Sequence, residues 1–100
     1  MIARRWTGRV AAARADEYLD YLERTGLQDY AATPGHVSTT VLRRTAGGVT
    51  ELELTTFWES EEAIRAFAGE EIARARYYPE DADFLLDFPE EVEHWEVVEH

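Results

Sequence analysis

The sequence predicts an α+β fold with the chain order β-α-β-β-α-β, and three observations carry that prediction. Two runs rich in Thr, Val and Leu, residues 36–45 and 49–58, flank Ala46-Gly47-Gly48, the composition of a β-hairpin turn. A helical pattern precedes this pair, with Ala15, Tyr18, Leu19 and Leu22 at i, i+3, i+4 and i+7. A second helix follows it, opened by Ser60 as N-cap and by Glu61 and Glu62, whose charges suit a helix N-terminus.

Taken in order, residues 1–10 read as a first strand with Ile2, Trp6 and Val10 among its apolar members. Residues 11–25 form the first helix, and Gly26 sits where a C′ glycine would end it. Residues 27–35 read as a loop or short turn closed by Thr33-Pro34-Gly35. After the hairpin, Ala63, Ile64, Phe67 and Ala68 make one face of the second helix, which Gly69 bends or interrupts. A further helical piece is expected over residues 70–78, stopped by Pro79. Phe84, Leu85, Leu86 and Phe88 suggest a helical turn lying over the core, and residues 91–99 read as the last strand. This is the split βαβ, or ferredoxin-like, arrangement: a four-stranded antiparallel sheet with its helices on one face.

Length and composition bound the function. One hundred residues make a single domain, 1–100, that buries roughly 60–70% of its unfolded surface. At 45% hydrophobic and 31% charged, the chain is too apolar for disorder and lacks an apolar run long enough to span a bilayer. Met1 to Trp6 is strand-like and lacks a signal peptide's apolar stretch. Without cysteine there is no disulfide framework, no thiolate catalysis and no zinc–cysteine site, which together favour the cytoplasm. A net charge of −11 argues against nucleic acid and against anionic membranes. The chain has no lysine, so Schiff-base chemistry is excluded.

The sheet's second face is the next clue. In the last strand Val92 and Val98 point one way, and Trp95 and Val97 the other. In the third, Leu52, Leu54 and Trp58 share a side while Val49 and Phe57 lie opposite; in the second, Leu42 opposes Val37 and Val41. The face turned from the helices is therefore mixed, with Glu51, Glu53, Thr55 and Thr39 among apolar residues. Such a face is best covered by its twin in a two-fold homodimer.

Residues 54–67, Leu-Thr-Thr-Phe-Trp-Glu-Ser-Glu-Glu-Ala-Ile-Arg-Ala-Phe, resemble the third-strand-to-helix passage of the antibiotic biosynthesis monooxygenase (ABM) proteins. In that family, part of the dimeric α+β-barrel superfamily, a tryptophan closes the strand, a Ser-like cap follows, and Ala and Phe recur on the helix. Thr33-Pro34-Gly35 before the second strand and Val92-Glu93-His94-Trp95-Glu96-Val97 in the last are similar too, so the likeness spans essentially the whole chain. The resemblance implies two sheets face to face in a dimeric barrel and a small pocket between sheet and helices in each subunit. It also implies a cofactor-independent monooxygenase, or a related isomerase or cyclase, acting on a small aromatic or polyketide-like substrate. The alternative is a non-catalytic, ligand-binding or accessory dimeric module. Two family features are missing: the pocket asparagine, since the chain has none, and the haem-ligating histidine of haem degraders, where residues 72–78 offer tyrosines.

Trp58 falls where the family's pocket tryptophan sits. With it, His94 and Tyr78 are the catalytic candidates, and Trp6, Arg4, Tyr77 and His36 the substrate-binding ones. Oxygenation without a cofactor needs a base to make the substrate a phenolate. His94 has the ordinary pKa for that work, and a tyrosine hydroxyl or an arginine can stabilise an oxyanion. The alternatives are core packing for the tryptophans, a helix C-terminus lying on the sheet for Tyr77 and Tyr78, and a strand histidine bonded to a neighbour for His94. This reading expects a cavity of a few hundred Å³ against Trp58. No metal site is expected: His94 and Glu96 share a strand face, but helix-borne histidine pairs and cysteines are lacking. The acidic run Glu80-Asp81-Ala82-Asp83 reads as solvated surface.

Overall fold

The computed structural model describes residues 1–99. Its four strands, β1 (Ile2–Ala11), β2 (His36–Ala46), β3 (Val49–Trp58) and β4 (Glu93–Glu96), form one sheet in the order β2-β3-β1-β4. All three pairings are antiparallel, which is the ferredoxin-like arrangement. The β2–β3 hairpin closes through Gly47 and Gly48, both with positive φ (59° and 78°), a backbone that glycine adopts without the Cβ penalty.

Strand alternation sorts the side chains onto two faces. The register places Trp6 opposite Leu54, Gly8 opposite Leu52 and Val10 opposite Thr50, and this side lies under the helices. Thr7 opposite Glu53 and Arg9 opposite Glu51 belong to the other, open side. Trp6 lies flat along β1 over Gly8: a Cβ there would come within 2.3 Å of the indole, so only glycine fits beneath the ring. Thr39 pairs with Thr56 and so sits on the helix side, not on the open face where the alternation count had put it; a bulge between His36 and Ser38 shifts the register.

On the helix side lie a 3₁₀ turn (Ala12–Arg14), α1 (Ala15–Arg24), α2 (Gly26–Ala32), α3 (Glu61–Ala68) and one short turn of helix, α4 (Asp81–Phe84). The Ser60 hydroxyl caps α3 as expected, accepting the Ala63 N–H at 3.2 Å. Gly69, with φ 89°, ends α3. Three expectations need correction. Gly26 does not end the helical region but begins α2, where a loop was expected: the chain turns at Thr25 and restarts, burying Tyr30. The helix expected over residues 70–78 is absent. There the backbone spends its polar groups on distant partners, with Ala75 N–H donating to Glu90 O and Val92 N–H to Ala73 O. Finally, β4 is four residues long rather than nine, pairing only with Ile2 to Arg5 of β1.

Two clusters fill the space between sheet and helices. One gathers Trp6, Val10, Tyr18, Tyr21, Leu22, Leu52 and Leu54 beneath α1; the other gathers Trp58, Tyr30, Ile64 and Phe67 beneath α2 and α3. Among the described residues, no helix is long and apolar enough to cross a membrane.

Candidate functional site

A cleft opens at the seam of these two clusters. Arg4, Trp6 and Leu54 form its floor from the sheet. Tyr18 and Leu22 come from α1, Gly26 and Tyr30 from α2, and Phe67 from α3. Arg76, Tyr77, Tyr78 and Asp81, from residues 76–81, close the remaining side. Its free volume is about 20 Å³, enough for on the order of one water molecule. Among the described residues, no cavity of a few hundred Å³ stands against Trp58, contrary to expectation. A Cβ at Gly26 would stand 3.8 and 4.0 Å from the rings of Tyr78 and Tyr30, ordinary contact distances.

The cleft's polar groups are partly spent. Tyr18 Oη donates to Asp81 Oδ1 at 2.9 Å, and Asp81 Oδ2 accepts the Tyr78 N–H at 2.6 Å. Asp81 is only 3% exposed, so this member of the acidic run is a buried anchor and not solvated surface. Trp6 Nε1 donates to Tyr77 Oη at 3.2 Å, and Tyr77 Oη donates on to Pro89 O at 2.5 Å. The Tyr78 hydroxyl donates to Asp29 on α2. Among the described residues, the Tyr30 hydroxyl has no hydrogen-bond partner.

Arg4 is the unusual charge. It is 3% exposed, its Nη2 donates to Arg74 O at 2.8 Å and to Ile72 O at 3.4 Å, and its Nε has no partner. Burial lowers its pKa from the ordinary guanidinium value. Arg76, at the rim, donates to Phe67 O at 2.9 Å and stands 3.6 Å from Asp29. Both guanidiniums lie over the Phe67 ring, at 5.8 Å for Arg4 and 4.7 Å for Arg76. Burial pushes the phenols of Tyr18, Tyr30, Tyr77 and Tyr78 up, so at neutral pH they act as donors.

The structure brings four of the seven candidate residues to the cleft: Arg4, Trp6, Tyr77 and Tyr78. Trp58 stands behind it, 0% exposed, with Nε1 donating to Thr56 Oγ1 at 2.7 Å and its ring against Tyr30 and Phe67. His36 packs edge-on against Trp58 with ring centroids 5.2 Å apart and Nε2 2.8 Å from Thr39 Oγ1. His94 is half-buried on β4, opposite Arg4 in the register, and outside the cleft lining. Its Nε2 is buried without a partner, and its pKa is lowered first by burial and then by the charge of Arg4. Sequence reasoning missed Tyr18, Tyr30, Phe67, Arg76 and Asp81 as cleft residues. Tyr18 and Phe67 were legible as members of apolar helix faces, and the spacing of Tyr30 from Leu27 is that of a short amphipathic turn, while Arg76 and Asp81 left no such trace. No group of three potential metal-ligating side chains is assembled among the described residues.

Comparison with solved structures identifies this architecture. A Bacillus cereus protein described as an antibiotic biosynthesis monooxygenase superposes with a TM-score of 0.57 at 21% identity, covering 94% of this chain and 86% of that one. The chain has the antibiotic biosynthesis monooxygenase fold. A Streptomyces coelicolor monooxygenase from the gene ActVA-Orf6, in complex with nanaomycin D, gives 0.61 at 19% identity over 99% of this chain and 88% of that one. The haem degrader MhuD of Mycobacterium tuberculosis, with two haems in its active site, gives 0.56 at 23% identity over 100% and 98%. No family model and no curated protein sequence matches the chain.

Proposed function

We propose that the chain is an ABM-like enzyme, a cofactor-independent monooxygenase or a related isomerase or cyclase, acting on a small aromatic or polyketide-like molecule held between sheet and helices. The observation that carries this reading is the cleft itself: six aromatic rings, those of Trp6, Tyr18, Tyr30, Phe67, Tyr77 and Tyr78, surround a buried guanidinium. The ActVA-Orf6 and MhuD structures, which share the fold, hold nanaomycin D and haem.

For a hydroxyarene the oxygenation balances with dioxygen alone: ArH–OH and O₂ give the quinone and water. Making the phenolate is the step a protein can assist most. In this reading Arg4 holds an anionic oxygen of the substrate, while Trp6 and Phe67 pack the ring. His94, beside Arg4 on the neighbouring strand but outside the cleft lining, takes the proton through a bridging water. Trp58 positions Tyr30 and Phe67 from behind, and Tyr78 ties residues 76–81 to α2 through Asp29. The open face of the sheet, with Leu42 and Trp95 exposed, pairs with a second copy to complete the barrel.

Oxygen uptake with a panel of hydroxynaphthalenes and anthrones tests the proposal. Turnover is expected, reduced by Arg4→Met and His94→Gln. No uptake with any member overturns it. A second reading, a binding module without chemistry, draws on the small free volume of the cleft. It predicts thermal stabilisation by the same compounds with no oxygen consumed.

A further inference from the structure

The charge balance within the cleft narrows the ligand further, taking as its basis the proposal that the cleft is a ligand site. The chain carries 21 acidic residues against ten arginines, so counter-ions are abundant. Eight arginines use them: Arg5, Arg9, Arg14, Arg43, Arg44, Arg65, Arg74 and Arg76 each stand within 4.0 Å of a carboxylate. Arg24 is exposed to water. Arg4 alone is buried, and among the described residues no carboxylate reaches it. A guanidinium removed from water without a counter-charge is costly, and two backbone carbonyls offset that cost only in part. Its unpartnered Nε leaves a donor unused.

The cleft's own carboxylate does not fill the gap. Asp81 is held by the Tyr18 hydroxyl and the Tyr78 N–H. Asp29 engages Tyr78 and, loosely at 3.6 Å, Arg76. The lining thus presents two cations astride one aromatic ring, Phe67, and a free phenol donor, Tyr30. We infer that the ligand is an aromatic acid, whose carboxylate neutralises Arg4 while its ring packs against Trp6, Tyr30 and Phe67, the cleft widening from its present volume of about 20 Å³ as the side chains of residues 76–78 move aside. Arg76 is the second contact for the anion, released from Asp29 as the ligand binds. A guanidinium accepts a planar carboxylate through two parallel N–H donors, a geometry that a single neutral hydroxyl does not satisfy.

Titration with 2-naphthoate and with 2-naphthol, followed by tryptophan fluorescence and calorimetry, separates the possibilities. The account expects 2-naphthoate to bind at least about tenfold more tightly, the difference between a charge-assisted and a neutral hydrogen bond. Arg4→Met should abolish that preference. Because Arg4→Met also alters the core, Arg76→Gln at the half-exposed rim provides a second reading and should reduce the preference. Asp29→Asn, which removes the competing carboxylate, should strengthen naphthoate binding. Equal or tighter binding of 2-naphthol overturns the acid class and leaves the cleft as a ligand site. Preference for 2-naphthoate unchanged in both arginine variants places the anion elsewhere and overturns the inference. If neither compound binds, the cleft reading and this inference fall together.

Discussion

The two faces of the sheet share one backbone and differ in how they treat charge. Under the helices, Trp6, Val10, Leu52, Leu54 and Trp58 exclude water, and the one arginine on the floor, Arg4, is left with backbone carbonyls. On the open side, Arg5 bridges Glu53 at 2.9 Å and Glu93 at 2.8 Å, and Arg44 meets Glu51 at 3.3 Å. Those pairs are solvated, so each contributes about 0–1 kcal/mol. Around them stand Trp95, 59% exposed, and Leu42, 54% exposed. The difference teaches that one face has committed its apolar surface to folding and to a cleft, while the other leaves large apolar side chains exposed.

Substitutions can break or sharpen this contrast. The largest effect belongs to Trp58→Ala, which empties the core behind the cleft and should cost about 3–5 kcal/mol in denaturant unfolding. The corresponding change on the open face, Trp95→Ala, should leave the unfolding of the isolated protomer nearly unmoved. Gly8→Ala comes next. Its Cβ would meet the Trp6 indole at 2.3 Å, so the ring must move, at about 1–3 kcal/mol and with altered indole fluorescence. Leu42→Glu on the open face should weaken self-association by about tenfold or more, about 1.4 kcal/mol, measured by sedimentation. Arg5→Ala should cost no more than about 1 kcal/mol despite removing two ion pairs.

The smallest effect is pH-dependent. Burial lowers the folded-state pKa of both His94 and His36, so each unfolded imidazole binds protons more readily than the folded one. Stability is therefore full above the unfolded value of about 6.5 and falls as pH drops below it, levelling off beneath the folded pKa. Thermal unfolding of His94→Gln should show a shallower decline over that range than the parent protein.

How much of this was legible depended on whether the cause was local. The hairpin and the start of α3 were legible because their chemistry sits within a few residues: glycines at positive φ, a serine capping its own helix. The stretch 70–78 was not, because what unwinds it comes from afar. Arg4 takes carbonyls 68 and 70 positions away, and the backbone of Glu90 and Val92 bonds to Ala75 and Ala73. Asp81 hid inside an acidic run whose other members are exposed, and its burial rests on Tyr18, 63 positions earlier, and on the Tyr78 N–H. Trp58 was legible as an important ring but not as one standing behind the cleft, since strand alternation gives the face and not the depth.

The three tryptophans offer the most direct test, because one lies in the cleft, one behind it and one on the open face. In a proton–nitrogen NMR spectrum their indole N–H signals can be followed together during addition of 2-naphthoate and during dilution. The account predicts that the ligand shifts Trp6 strongly, Trp58 weakly and Trp95 not at all, while dilution shifts Trp95 alone. Ligand shifts centred on Trp95, or a Trp6 signal that stays put at saturating ligand, would contradict it.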